Sequence, residues 1–503
     1  MSLQTAFFME EIEFFTAKNN SLSCRINGMH LHSAYNPEKE AEKAVECTFF
    51  PFKPKYILIP EPALGYAVPF LQKKFPYAKI CAVRFTKGFE KFNANYDRTF
   101  NFFDSADSTG LESYLNSYFG ENGLLFCAFF SWEPSARIFS EKISSLFSIL
   151  KKLINTSQSI LNTNAYFSKR WIKNSVIFLQ NASKLAEISR GNKDILITAS
   201  GTSLKNSIPK IKNIRERVFL IAVSSSLKPL LWNGIIPDLV ISTDGGYWAK
   251  AHLSALLKEK NAGKIPVAVS SESSCQKKLL KTNLIIPLFY SDGISSRLLT
   301  ALNVPFIKAE RNGTVSGTAA SLAMELTDGK IYFCGLDLAP GKGFQHTAPN
   351  ELEIMNFSRD NKLKNTETRQ TASRMSGSSL KIYEDWFRTN SMRFKNRLFR
   401  LSDNFNYANR LGEIKDINFD EIIFSNEQKA DPKITEKKHK SFSKSEIMNT
   451  VKKLAETEEF RKECFPIEFL SYERELSDDK KTEIFKEIQK KTEDFVNQIE
   501  GLL

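Results

Sequence analysis

RNGTVSGTAASLAMELTDGKIYFCGLDLAPGKGFQHT, residues 311–347, joins a small-residue loop to a helix, a strand and a polar cluster. Gly313, Thr314, Val315, Ser316 and Gly317 read as a turn, and residues 318–326 read as a helix with its apolar residues on one face. The loop therefore stands at a helix N-terminus, where free backbone N–H groups and the positive end of the helix dipole favour a phosphate or carboxylate. Residues 330–334, KIYFC, follow as a short buried strand, with Gly335, Asp337 and His346 at or just beyond its carboxyl end. Ligands of open α/β sheets bind along that edge.

The same rhythm occurs upstream. Residues 194–199 (DILITA) predict a strand, and Ser200, Gly201, Thr202 and Ser203 the turn after it. Residues 217–223 (RVFLIAV) predict the next strand, ending in Ser224, Ser225 and Ser226, and residues 238–242 (DLVIS) a third, ending at Thr243, Asp244, Gly245 and Gly246. Strand, polar tip, helix, strand is the order of a parallel doubly wound sheet. The expected fold class is α/β, with a mostly parallel, Rossmann-like central sheet.

These motifs resemble a known family. The run from Ser200 to Leu204, AVSSSLKPLLWNGIIPDLVISTDGG at 222–246, GTVSGTAASLA at 313–323, FCGLDLA at 333–339 and the trailing His346 are similar to the motility accessory factor glycosyltransferases of flagellated bacteria. That domain family includes the 6-hydroxymethylpterin diphosphokinases. LHSAYNPEKEAE at 31–42 is similar to a segment of the motility proteins, so the resemblance covers roughly residues 30–420. The segment around SGTAASLAMEL and KIYFCGLDL also resembles the core of bacterial sialyltransferases that use CMP-activated nine-carbon acidic sugars, in which a loop His after a Gly-x-Asp strand end acts as base.

The chain departs from the family's pattern twice. Relatives carry a glycine-rich turn after the first N-terminal strand. Here the turn is Pro60-Glu61-Pro62-Ala63-Leu64-Gly65-Tyr66, whose carboxylate would repel phosphate, so the N-terminal βαβ unit reads as structural. Ser200-Gly201-Thr202 stands where Gly-x-Gly-Pro-Ser is usual, which keeps a hydroxyl donor but loosens the turn.

At 503 residues the chain predicts two or three domains. Residues 1–150 read as an N-terminal α/β domain, 151–190 as a helical bridge, 191–424 as the central domain, and 425–503 as a Lys/Glu-rich linker and C-terminal helical module. Within the central domain, residues 350–378 read as a long polar loop, a candidate lid over the site. Seven scattered cysteines, none in a CxxC pair, argue against a disulfide framework or zinc site and point to a reducing cytoplasm. No basic leader precedes the apolar N-terminal residues, and no apolar run reaches membrane-spanning length. The net charge of +13 is spread among 57 acidic residues without a nucleic-acid-binding signature, which favours solvated Lys-rich faces over a nucleic-acid partner.

Among five histidines, His346 has the strongest context for a general base, because imidazole titrates near neutrality; the alternative is a hydrogen bond to a loop carbonyl. Asp337 is a candidate to orient that base or to hold a sugar or nucleotide hydroxyl, or else to cap the turn at Gly341 and Gly343. Asp244 is a candidate ribose or metal partner, or else a turn residue before two glycines. Ser200, Gly201, Thr202, Ser203, Ser224, Ser225, Gly313, Thr314, Ser316 and Gly317 are the candidate nucleotide and sugar donors. The resemblance implies an inverting transfer of a nonulosonic acid, such as pseudaminic or legionaminic acid, from a CMP donor to Ser or Thr of flagellin. His346 would be the base and no cofactor would be tightly bound. No metal site follows from the pattern. The alternatives are a pterin diphosphokinase using Mg²⁺ and a purine nucleotide, and a non-catalytic flagellin-binding factor.

Overall fold

The structure is a computed structural model that describes residues 11–104, 108–258, 262–338, 345–365, 379–401, 409–424, 428–439 and 441–503. The chain divides into two compact units, residues 1–166 with 464–491, and residues 167–463 with 492–503. The C-terminal stretch expected as a module of its own is thus shared between the units. Among the described residues, no helix is long and apolar enough to cross a membrane.

The first unit opens with an antiparallel ribbon of β1 (Ile12–Thr16), β2 (Leu22–Ile26) and β3 (Met29–His30), absent from the sequence reading. A parallel sheet follows, built from β4 (Tyr56–Pro60), β5 (Lys79–Arg84), β6 (Arg98–Asn101) and β7 (Cys127–Phe129) in the order β6-β5-β4-β7. Period-2 alternation splits its apolar residues between two cores. Leu58, Cys81 and Val83 face a cluster with Leu111 and Leu115, whereas Ile57, Ile59, Ile80 and Ala82 face Ala41, Val45 and Leu71.

At the tip of β4, Glu61 turns inward. Its carboxylate takes Arg84 Nη1 at 2.9 Å and the backbone N–H groups of Phe85 at 2.7 Å and Thr86 at 3.3 Å. A carboxylate of the chain itself therefore fills the place where a Rossmann-like unit would present backbone donors to a ligand phosphate.

The second unit is built on β8 (Leu185–Ser189), β9 (Ile195–Thr198), β10 (Phe219–Val223), β11 (Leu239–Ser242), β12 (Val267–Ser270), β13 (Ile285–Phe289), β14 (Ile307–Lys308), β15 (Ile331–Cys334), β16 (Leu398–Leu401), β17 (Lys415–Ile417) and β18 (Lys433–Lys437). The order is β17-β16-β15-β9-β10-β11-β12-β13-β8-β18, with β14 also on β13; every pairing is parallel except β18 on β8. Two readings change here. Residues 185–189, placed in the helical bridge, are a strand that follows the helix Ser140–Asn181, and residues 433–437, placed in the linker, are the antiparallel edge strand that covers it.

β9 lies between β15 and β10. The chain leaves β9 toward β10 and leaves β15 toward β16, so the connections diverge at the carboxyl edge between β9 and β15, the place where ligands of open α/β sheets bind. Ile195, Ile197, Ile221, Ile331 and Phe333 are buried beneath it with Ala319, Ala320, Leu322 and Ala323 of the helix Val315–Leu326. The small residues of that helix let it pack closely across β9, β10, β11 and β15.

Candidate functional site

The tips of β9 and β15 meet backbone to backbone. Gly201 N–H donates to Gly335 O at 2.9 Å, and a Cβ on Gly201 would stand 2.5 Å from that same oxygen. Gly335, at φ 69°, would drive a Cβ into the Ala199 carbonyl oxygen. Only glycine fits either position.

Asp337, two residues on, reaches back over the turn after β9. Its carboxylate accepts from Ser203 N–H at 2.9 Å, from Thr202 Oγ1 at 3.3 Å and from Ser203 Oγ. It therefore sits as an internal anion at the start of the helix Leu204–Ile214. Thr202 and Ser203, expected to hold a phosphate, spend these donors on Asp337 instead. Asp337 is accordingly the cap of this turn rather than the partner of the histidine; the turn at Gly341 and Gly343 lies outside the described residues.

The remaining polar tips form one network. Ser225 Oγ donates to Ser200 Oγ at 2.9 Å, Thr347 N–H donates to Ser200 O at 2.8 Å, and Thr347 Oγ1 donates to Gly201 O at 2.7 Å. Asn350 Nδ2 donates to Ser225 O at 2.9 Å. Ser224 is buried beside them. The chain around His346 is thereby laid across the tips of β9 and β10.

The stretch read as a featureless lid starts with a helix, Glu351–Phe357, capped by the Asn350 side chain accepting from Leu352 N–H. Residues 366–378 of that stretch lie outside the described residues. The helix carries two carboxylates to the site. Glu353 Oε1 lies 3.3 Å from His346 Nδ1 and accepts from the backbone N–H groups of Gln345 at 2.9 Å and His346 at 3.0 Å. Glu351 lies 3.1 Å from His252 Nδ1 and 3.2 Å from Lys228 Nζ. The His346 and His252 rings are 6.5 Å apart between centroids. Burial alone would raise both carboxyls, but the hydrogen bonds from these histidines, backbone N–H groups and Lys228 leave each below the ordinary glutamate range.

Glu351, Glu353 and Lys228 were missed in the sequence, and His252 was set aside there as having a weaker context than His346. The Asn-Glu-x-Glu start of the helix is the signal that could have shown the carboxylates.

Asp244 is less committed. Its Oδ1 accepts from Gly246 N–H at 2.8 Å, which is a turn role, while burial of the Tyr383 phenol and, second to it, the Asp244 charge keep that phenol above its ordinary range. The glycine loop also differs in detail from its reading. The helix begins at Val315 with Thr314 as N-cap, so Ser316 and Gly317 stand in its first turn. Asn312, about nine-tenths buried, folds across that turn. Its Oδ1 accepts from Thr318 Oγ1 at 3.1 Å and Thr314 N–H at 3.4 Å, and its Nδ2 has no partner. An amide donor left unpaired beside a helix N-terminus suits an anionic acceptor. Gly313, at φ 72°, lets the chain turn from Asn312 into the helix.

Residues 169–343 match the model of the 6-hydroxymethylpterin diphosphokinase MptE-like family. The match lies within the central domain, which is similar to that family over these residues. A protein of Treponema pallidum (strain Nichols), described only as uncharacterized, is 33% identical over 290 residues, which span 56% of this chain and 62% of that relative. Among solved structures, the MAf glycosyltransferase from Magnetospirillum magneticum AMB-1 superposes with a TM-score of 0.58 at 12% identity, over 97% of this chain and 91% of that one. That likeness is one of fold.

In the same domain, Arg311 fixes the glycine loop to the far side of the sheet. Its guanidinium grips Glu272 at 2.8 and 2.9 Å and Asp292 at 2.9 Å, and lies over the rings of Tyr290 and Trp171. Glu463 sits close by, accepting from Ile294 N–H at 2.7 Å. Burial, opposed by that hydrogen bond and by Arg311 and reinforced by Glu272 and Asp292, raises its carboxyl from the ordinary 4.5 to about 7. A carboxyl raised in the folded state binds its proton more tightly there than in the unfolded chain. Its contribution is therefore complete below pH 4.5 and lost as pH rises to about 7. The loss amounts to about 3 kcal/mol as an order of magnitude. Thermal melts at pH 5 and pH 8 are expected to show Glu463→Gln more stable than wild type at pH 8 only; equal gains at both pH values would show that the carboxyl does not titrate in this range.

Proposed function

We propose that the chain is a glycosyltransferase that moves a nonulosonic acid from a CMP donor to a hydroxyl of a protein acceptor, flagellin, in the cytoplasm. The observation that carries this reading is His346. Its Nδ1 is engaged by a buried carboxylate at the carboxyl edge of the sheet, close to the divergence of β9 and β15, while a quarter of its side chain remains exposed. Such a ring offers Nε2 to a hydroxyl proton. The fold shared with a protein named a MAf glycosyltransferase, and the MptE-like family's association with phosphate chemistry, support the same class of reaction.

In this mechanism the acceptor oxygen attacks the anomeric carbon from the face opposite the phosphate, and His346 Nε2 takes the hydroxyl proton. Charge on the departing CMP phosphate is met at the start of the helix Val315–Leu326 by backbone N–H groups and by Asn312 Nδ2. Ser200 and Ser225, hydrogen-bonded to each other at the tips of β9 and β10, serve as hydroxyl partners for the sugar. A phosphate leaves readily, so a paired-carboxylate arrangement of the glycosidase kind is not called for.

The family match gives a second reading, a pterin diphosphokinase, its own support. Ligand-dependent melting separates the two. CMP at 100 times its dissociation constant is expected to stabilise the native state by about 2.7 kcal/mol. Stabilisation by ATP with Mg²⁺, and none by CMP, would replace the transferase reading with the kinase.

A further inference from the structure

His346 is gripped by one residue in three ways. Glu353 Oε1 meets its ring Nδ1 at 3.3 Å, its backbone N–H at 3.0 Å and the preceding N–H of Gln345 at 2.9 Å. The Glu353 side chain is only 4% exposed. We propose that Glu353 is the positioning residue of His346: its carboxylate holds the proton on Nδ1, leaves Nε2 as the acceptor, and stabilises the imidazolium formed during transfer. This rests on His346 being the base of the reaction proposed above.

The requirement comes from the chemistry of the step. The acceptor O–H bond breaks and its proton moves to Nε2, while the oxygen forms a bond to the anomeric carbon and the bond from that carbon to the phosphate oxygen breaks with its electron pair. A neutral imidazole can take that proton only if its own proton is on the other nitrogen. A fixed carboxylate at Nδ1 secures that tautomer and then faces a cation.

The helix that supplies Glu353 is itself tied down. Glu351 is held by His252 and Lys228, and Asn350 joins the cap of the helix to the tip of β10 through Ser225 O. Asp337, the other carboxylate near these strand ends, is occupied at Ser203 and Thr202. Glu353 is thus the carboxylate that the geometry gives to His346.

Two variants of the full chain and two readouts test this. Glu353→Gln keeps an oxygen for the two backbone N–H groups and the ring but has no charge. It is expected to fold and to bind CMP as wild type does, with kcat for transfer from a CMP-activated nonulosonic acid to flagellin lower on the order of 10²-fold or more and KM little changed. Glu353→Ala removes the oxygen as well. Nitrogen-15 spectra of the ring, read without substrate, are expected to place the proton of neutral His346 on Nδ1 in wild type and on both nitrogens in Glu353→Ala. A wild-type ring protonated on Nε2, or Glu353→Gln turning over at the wild-type rate, would overturn the proposal. A wild-type chain that transfers no sugar but shows the Glu353-dependent Nδ1 proton would remove the assigned reaction and leave the pinning of the ring established.

Discussion

Transfer by a His346→Ala variant is expected to fall on the order of 10²- to 10⁴-fold, the usual contribution of a positioned general base. CMP binding should persist, because in the proposed mechanism the ring serves the acceptor while the phosphate is assigned to the start of the helix Val315–Leu326. His346 N–H and Gln345 N–H both reach Glu353 through the backbone, so the loop keeps two of its three ties in the variant. Initial rates on flagellin, with CMP binding measured in parallel, check this. A variant that modifies flagellin at a comparable rate would make His346 a loop residue and move the base elsewhere.

The second large effect concerns stability in the first unit. Arg84 and Glu61 face each other at 2.9 Å with side-chain exposures of 2% and 0%. Their desolvation is offset only while both are present. Glu61→Ala is expected to destabilise the unit by about 3–5 kcal/mol, the cost of leaving a buried charge unpaired. It would also orphan the N–H groups of Phe85 and Thr86. Removing both charges, as in Glu61→Ala with Arg84→Met, should restore part of the loss, because no unpaired buried ion then remains. Urea denaturation of the single and double variants measures it. A double variant no more stable than Glu61→Ala would show that the loss lies in the backbone of the turn, where Glu61 and Ala63 hold positive φ values of 36° and 50°.

These residues also show what a sequence can and cannot reveal here. The strands β9, β10, β11 and β15 were legible because each is an apolar run ending in small polar residues, and burial on both faces leaves no room for alternation. β18, KITEK, was not legible. Only Ile434 among its five side chains is partly buried, and what makes it a strand is the open hydrogen-bonding edge of β8, which composition does not report. β8 was lost in the other direction, because LAEIS follows a 42-residue helix and continues its apolar spacing.

The site was half legible for a related reason. His346, Asp337 and the strand tips announce themselves by residue type. Their partners depend on sheet order: Asp337 meets Ser203, 134 residues away, only because β15 inserts beside β9. Glu353 is seven residues from His346, yet the polar run around it hid the helix that turns it back toward the ring. At Glu61, which the sequence reading took as repelling phosphate, the carboxylate accepts from Arg84 and from the Phe85 and Thr86 N–H groups, partners that no residue spacing announces.

The central claim is transfer of a nonulosonic acid to protein, and the most direct measurement is the intact mass of flagellin after incubation with the purified chain and a CMP-activated nonulosonic acid. The account predicts a rise by one or more whole sugar residues, dependent on His346 and accompanied by release of CMP. Unchanged flagellin in the presence of folded, CMP-binding protein would contradict it.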